Sequence, residues 1–159
     1  MADIKIYEIN AAYVDYLVPH APLLFHNKKP GQTNERKYIG IVLTIHGLDY
    51  FAPLSSFKPK HNQMKETLDF LKIDHYAVIN LNCMFPVPAS ECSYVDFSRI
   101  SDRRYRSLLL AEYRIIHAMQ EKIRKNAASV YKHKLVKALN PDDDTMNFNH
   151  YEGRNIDVK

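Results

Sequence analysis

The stretch that most restricts what this chain can fold into runs from Tyr38 to Lys65, YIGIVLTIHGLDYFAPLSSFKPKHNQMK. Ile39, Ile41, Val42, Leu43 and Ile45 crowd apolar, mostly β-branched side chains together, which a pleated sheet accommodates better than a helix. The run breaks at His46-Gly47 and resumes at Tyr50, Phe51 and Ala52, a pattern that predicts a β-hairpin. Pro53 has no N–H to give a ladder, so it is expected to stop the second strand. Pro53 and Pro59 should then keep the following segment out of both helix and central strand.

That segment carries chemistry. Ser55, Ser56, Lys58, Lys60, His61 and Asn62 fall close together, and hydroxyls, ammoniums, an imidazole and an amide on one loop suit a phosphodiester and the charge that develops on it. The wider charge distribution points the same way. Between Arg99 and Lys137 there are eleven basic residues against three acidic ones, a local balance of +8 inside a chain whose net charge is only +4. Such a segment is either a surface for a polyanion or a solvated helix face.

The 159 residues, 46% hydrophobic and 25% charged, are expected to form one domain over 1–159. No apolar run reaches membrane-spanning length, and the opening MADIKIYEIN alternates like a strand rather than a signal peptide, so a cytoplasmic protein is expected. Cys83 and Cys92, nine apart without a CxxC spacing, read as reduced, partly buried thiols rather than as a metal or redox site.

Along the chain, Ile4 to Ile9 reads as a strand, and Asn10 as the N-cap of a short helix over Ala11 to Val18 that Pro19 closes. Residues 20–36 have no period and should be a long loop. Part of Glu66 to Asp74 reads as a strand that turns at Asp74-His75 into a second one, Tyr76 to Leu81, and Glu91 to Phe97 as a short edge strand beyond Pro86 and Pro88. Asp102 to Lys125 has Tyr105, Leu108, Leu109, Ile116, Met119 and Ile123 at helical spacing. Glu112 lies inside that apolar stripe, either as a carboxylate paired with an arginine of the fold or as a group that orients an active-site base. A second helix is expected from Ala127 to about Leu139, ended by Asn140-Pro141. An acidic turn at Asp142 to Asp144 and a last short strand around Phe148 and Tyr151 would follow.

The central motifs resemble a known family. IGIV (Ile39 to Val42), His46-Gly47, YFAPLSS (Tyr50 to Ser56), Lys58, His61-Asn62, Met64-Lys65, INL (Ile79 to Leu81), Met84 and Pro86, with Asn147-Phe148 near the C-terminus, resemble the ToxN/AbiQ family of type III toxins, and within it the CptN branch. The resemblance implies an α+β fold: a highly twisted antiparallel β-sheet, almost a barrel, flanked by helices and related to MazF/Kid toxins. It implies a metal-independent, cofactor-free endoribonuclease. Its partners would be an antitoxin RNA of repeated pseudoknot units, which the toxin cuts and which then blocks it in a toxin–RNA assembly, and cellular RNA substrates. It implies a catalytic cluster of Ser55, Ser56 and Lys58 with His61 beside it, and a basic residue before the I-G-I strand at Arg36, or Lys37 one position on. Lys60, Arg103, Arg104 and Arg106 are expected to contact RNA. Where some members carry a tyrosine upstream of that strand, this chain has Gln32.

Metal-independent RNA cleavage needs a base for the ribose 2′-OH, a donor for the leaving 5′-oxygen and fixed positive charge on the phosphorus-bound oxygens. Lys58 suits charge stabilisation, or base work if neighbouring cations lower its pKa. His61 suits acid or base work, or a structural hydrogen bond at the loop's end. The serines can position. Two other classes compete: a non-catalytic RNA-binding module that stacks bases on Tyr38, Tyr50, Phe57 and Tyr131, and a protein-interaction module.

Overall fold

The computed structural model describes residues 2–28 and 34–140. Gln32, the acidic turn at 142–144, Asn147-Phe148 and Tyr151 lie outside the described residues.

The predicted hairpin is the middle of the sheet. Strands β2 (Lys37–Ile45) and β3 (Leu48–Ser56) pair antiparallel across a two-residue turn in which His46 and Gly47 both have positive φ, 52° and 76°, the turn whose twist matches that of the strands it joins. Gly40 is required for a different reason. It lies opposite Phe51, and a Cβ there would come within 2.3 Å of the Phe51 ring. Strand β1 (Lys5–Ile9) adds to the other side of β2. The full order is β4-β5-β3-β2-β1-β7, with β4 at Phe70–Ile73, β5 at Ala77–Asn80 and β7 at Cys92–Tyr94; β6 (Phe85–Pro86) pairs with the first half of β3. The sheet is open, antiparallel throughout, and the fold is α+β as expected.

Pro53 does not stop the ladder. It pairs with Tyr38, and β3 continues through Leu54, Ser55 and Ser56 against Ile79, Val78 and Ala77 of β5. The proline falls where β3 exchanges one outer partner, β6 at Phe51–Phe85, for the next, β5 at Leu54–Ile79, and a missing donor is tolerated at such a discontinuity. Ser55 and Ser56 therefore stand on a central strand rather than on a loop. Pro59, too, opens a 3-10 turn over Pro59–Asn62 instead of excluding helix, since a proline's fixed φ and absent N–H suit the first helical position.

Asn10 caps helix α1 (Ala11–Leu17), its Oδ1 accepting from the Ala12 N–H at 3.1 Å. Asp102 caps α2 (Arg103–Ala118) by accepting from Arg104 and Tyr105 N–H. The expected helix to Lys125 is broken at Met119, and everything from Gln120 to Leu139 is one helix, α3. Neither glycine nor proline marks that break. Docking of the N-terminal segment supplies the cause: Gln120 Oε1 accepts from the Ile4 N–H at 3.1 Å, while Gln120 and His117 both reach Asp3.

Both faces of the sheet are covered, which is why its central strands are continuously apolar. Ile4, Ile6, Ile39, Ala52 and Leu54 share a core with Leu109 and Ile116 of α2 and Ile123, Ala127 and Val130 of α3. Tyr7, Ile9, Tyr38 and Phe51 pack on the other face with Val14 of α1, Leu24 and Phe85. The Tyr38 hydroxyl donates to buried Asn27, whose side chain donates to the Ile9 carbonyl at 2.7 Å, so this network pins part of the long loop against the sheet. Cys83 and Cys92 are free, half-buried thiols, and burial pushes both pKa values up.

Candidate active site

The C-terminal end of β3 opens into a cavity of about 720 Å³. Ser55, Ser56, Lys58, Lys60 and His61 line it from one side and Arg36 and Lys37 from the neighbouring strand; Tyr105, Leu108, Leu109 and Glu112 of α2 close it. Sheet register explains the first encounter. Lys37 pairs with Leu54, so Arg36 and Ser55 are the next residues out on the two strands, and Arg36 Nη1 donates to Ser55 Oγ at 2.9 Å. The next residue along, Lys37, has its ammonium 5.7 Å from the centre of the Tyr105 ring.

The geometry divides the predicted cluster. Lys58 is exposed at the cavity mouth. His61 is not: it is 6% exposed, its Nδ1 accepts from the Lys58 backbone N–H at 2.8 Å, and its backbone N–H donates to the Lys58 carbonyl at 2.8 Å. Burial, with the charges of Lys60, Lys58 and Lys72, depresses its pKa. An imidazole whose Nδ1 lone pair is already engaged cannot take a proton there without losing that bond, so the structural hydrogen-bonding reading describes His61 better than the base reading. Its ring also packs between those of Phe57 and Phe70 at 5.4 and 5.7 Å, which fixes the turn that presents Lys58.

Glu112 is 4% exposed and has no hydrogen bond or ion pair among the described residues, so the expected arginine partner is absent there. Burial pushes its carboxyl up to about 7. With Glu112 beside it, the half-buried Tyr105 phenol is pushed up to about 12, mainly by desolvation. A carboxyl that is half-protonated near neutrality inside a cationic, hydroxyl-lined cleft is fit for proton transfer.

The basic segment is less uniform than its sum. Arg106 Nη1 donates to the Ile100 carbonyl at 2.9 Å, so the structure places this residue as a brace at the start of α2 and not in the cavity. Arg99 pairs with Asp96 at 3.5 Å and Lys122 with Glu66 at 3.1 Å; Arg124 binds the Ala2 carbonyl and Lys134 that of Asn82. Arg103 and Arg104 stay exposed on α2. Of the aromatics expected to stack on bases, Tyr38 is wholly buried and Tyr50 packs edge-on against Tyr131 at 6.1 Å. Sequence reasoning passed over Phe25 and Asn80, which also line the cavity. Nothing local distinguishes either from an ordinary loop or strand residue. Among the described residues no group of three or more His, Cys, Asp or Glu is placed to hold a metal ion, and no helix is long and apolar enough to cross a membrane.

Two hydroxyls, the four cations Arg36, Lys37, Lys58 and Lys60, and a buried carboxyl line one cleft at the end of a twisted antiparallel sheet, a set of groups suited to a phosphodiester. The family model "Toxin ToxN, type III toxin-antitoxin system" matches residues 5–154, and the chain belongs to that family. It is 33% identical over 127 residues, 75% of this chain and 74% of the relative, to Endoribonuclease ToxN of Pectobacterium atrosepticum. Its fold superposes with a TM-score of 0.76 and 28% identity, over 92% of this chain and 94% of the other, on the structure reported as "A processed non-coding RNA regulates a bacterial antiviral system". It also superposes, with a TM-score of 0.71 and 26% identity over 83% and 80%, on one reported under "selective toxin inhibition by a non-coding RNA pseudoknot".

Proposed function

We propose that this chain, as the toxin of a type III system, is an endoribonuclease that cleaves RNA by internal attack and needs no metal ion to do so. The observation that carries the reading is the convergence of Ser55, Ser56, Lys58, Arg36 and Glu112 on one cavity. In the proposed reaction the ribose 2′-oxygen bonds to the adjacent phosphorus as the bond to the 5′-oxygen breaks, leaving a 2′,3′-cyclic phosphate and a 5′-hydroxyl. Lys58 and Arg36 stabilise the charge that grows on the non-bridging oxygens, and the serine hydroxyls orient the phosphate. Glu112, as the carboxylate, takes the 2′-OH proton, since its two forms are both populated near neutral pH, and the departing 5′-oxygen takes a proton from water to become the 5′-hydroxyl. His61 positions Lys58 through the backbone.

The partner in this reading is a structured antitoxin RNA, by analogy with the relative inhibited by an RNA pseudoknot. It is a ligand the toxin both processes and is blocked by, held in a toxin–RNA assembly in the cytoplasm. The test is cleavage of single-stranded RNA in excess EDTA. Product ends should be 2′,3′-cyclic phosphate, and Lys58→Ala should remove cleavage, and growth arrest on expression, while the protein stays folded. Fragments with 5′-phosphate, a requirement for a divalent ion, or a fully active Lys58→Ala protein would each refute this mechanism.

A further inference from the structure

A second cavity, about 450 Å³ and lined by Tyr76, Arg103, Arg104, Ser107, Leu108 and Ala111, has no part in that reaction. Leu108 lines both cavities, so they adjoin at one side chain. The backbone places Tyr76 beside the reacting centre as well. Ser56 pairs with Ala77, and the Phe57 N–H donates to the Tyr76 carbonyl at 3.3 Å, so Tyr76 sits across from the residue linking Ser56 to Lys58. The turn at Asp74, with φ of 50°, delivers it there.

Tyr76 is 40% exposed, and its side chain has neither a ring contact nor a hydrogen bond among the described residues. Its neighbour His75 takes the contact with Phe57, at 5.3 Å. Arg103 and Arg104 likewise have no ion pair or side-chain hydrogen bond among the described residues, in contrast to Arg99, Arg106, Lys122 and Arg124. The attraction for an anion here belongs to the two guanidiniums and not to the helix end, because Asp102 already occupies the Arg104 and Tyr105 N–H groups. A bare ring beside two uncommitted guanidiniums fits an unpaired nucleotide, whose base offers a π face and whose phosphate accepts planar, bidentate hydrogen bonds.

We infer that Tyr76, Arg103 and Arg104 form a nucleotide subsite: Tyr76 stacks the base of one unpaired nucleotide adjoining the cleaved phosphodiester, and the two arginines hold that nucleotide's phosphate. The subsite rests on the ribonuclease reading, and it makes part of the choice of cleavage position a matter of local RNA flexibility, since a base locked in a duplex cannot reach the ring.

The experiment uses a single-stranded RNA that the wild-type protein cuts at one position, and versions with an abasic nucleotide at each flanking position in turn. Tyr76→Ala should lower kcat/KM roughly 5- to 100-fold, the range of one base–aromatic stack, and Tyr76→Phe should restore it because the ring, not the hydroxyl, makes the contact. One abasic position should reproduce the loss and add nothing in the Tyr76→Ala protein. Replacing both Arg103 and Arg104 by Ala should shallow the log–log salt dependence of RNA binding by about 0.7, the share of one phosphate on a single strand. The inference is overturned if Tyr76→Ala cleaves like wild type, or if its loss adds in full to that of every abasic position, while wild type cuts and Lys58→Ala does not. A wild-type protein that cuts no RNA overturns the ribonuclease reading and this subsite with it.

Discussion

Replacing Glu112 by Gln should make the protein more stable and less active at the same time. The folded chain holds the Glu112 proton with a pKa of about 7 against an ordinary 4.5, because burial penalises the charged form. A raised carboxyl pKa means that the folded state binds the proton more tightly than the unfolded one. The stability is therefore whole below about pH 4.5, declines as pH climbs towards 7, and is lower by a constant amount above that. At about 1.4 kcal/mol per pH unit the gap corresponds to roughly 3 kcal/mol. Gln keeps the shape of the protonated acid and cannot ionise. Urea unfolding of both proteins from pH 4.5 to 8.5 should give nearly equal stabilities at the acid end and a Glu112→Gln advantage approaching 3 kcal/mol at the alkaline end. Taking the difference cancels every other group that titrates in the window. The same variant should cleave RNA at least about 100-fold more slowly if its carboxylate accepts the 2′-OH proton. Two parallel stability profiles would show that Glu112 is not buried without a partner, and a fully active variant would remove it from the proton-transfer step.

His61→Ala should lower kcat for RNA cleavage while changing KM little, because Lys58 loses the hydrogen bond that fixes its backbone; and since burial depresses the His61 pKa, wild type should lose stability on acidification below about pH 6.5 that the variant does not lose. Gly40→Ala should destabilise the fold by about 1–3 kcal/mol, seen as a lower Tm, because its Cβ meets the Phe51 ring in the middle of the sheet. Asp102→Ala should cost about 1 kcal/mol by uncapping α2, with unfolding midpoint as the readout. It should leave Arg103 and Arg104 free to bind RNA.

What the sequence by itself determined were the features written in neighbouring residues. The His46-Gly47 turn, the Asn10 cap, the apolar stripe of α2 and the strands on either side of Asp74-His75 follow from φ preference, capping chemistry and side-chain period, all of which act over a few positions. The grouping of Ser55, Ser56 and Lys58 was legible for the same reason. What only the tertiary structure decided depends on partners distant along the chain. Pro53 stays in a central strand because β3 changes neighbours there, a fact held by Phe85 and Ile79. The helix breaks at Met119 because Gln120 and His117 bind the N-terminal segment more than a hundred residues away. Arg36 meets Ser55 through sheet register, His61 spends its Nδ1 on Lys58, Glu112 is buried where no described arginine reaches it, and Tyr76 is left bare beside Arg103 and Arg104. Each of these is a balance of burial and hydrogen bonding between segments, and a chain read in order carries the residues for that balance but not the distances that settle it.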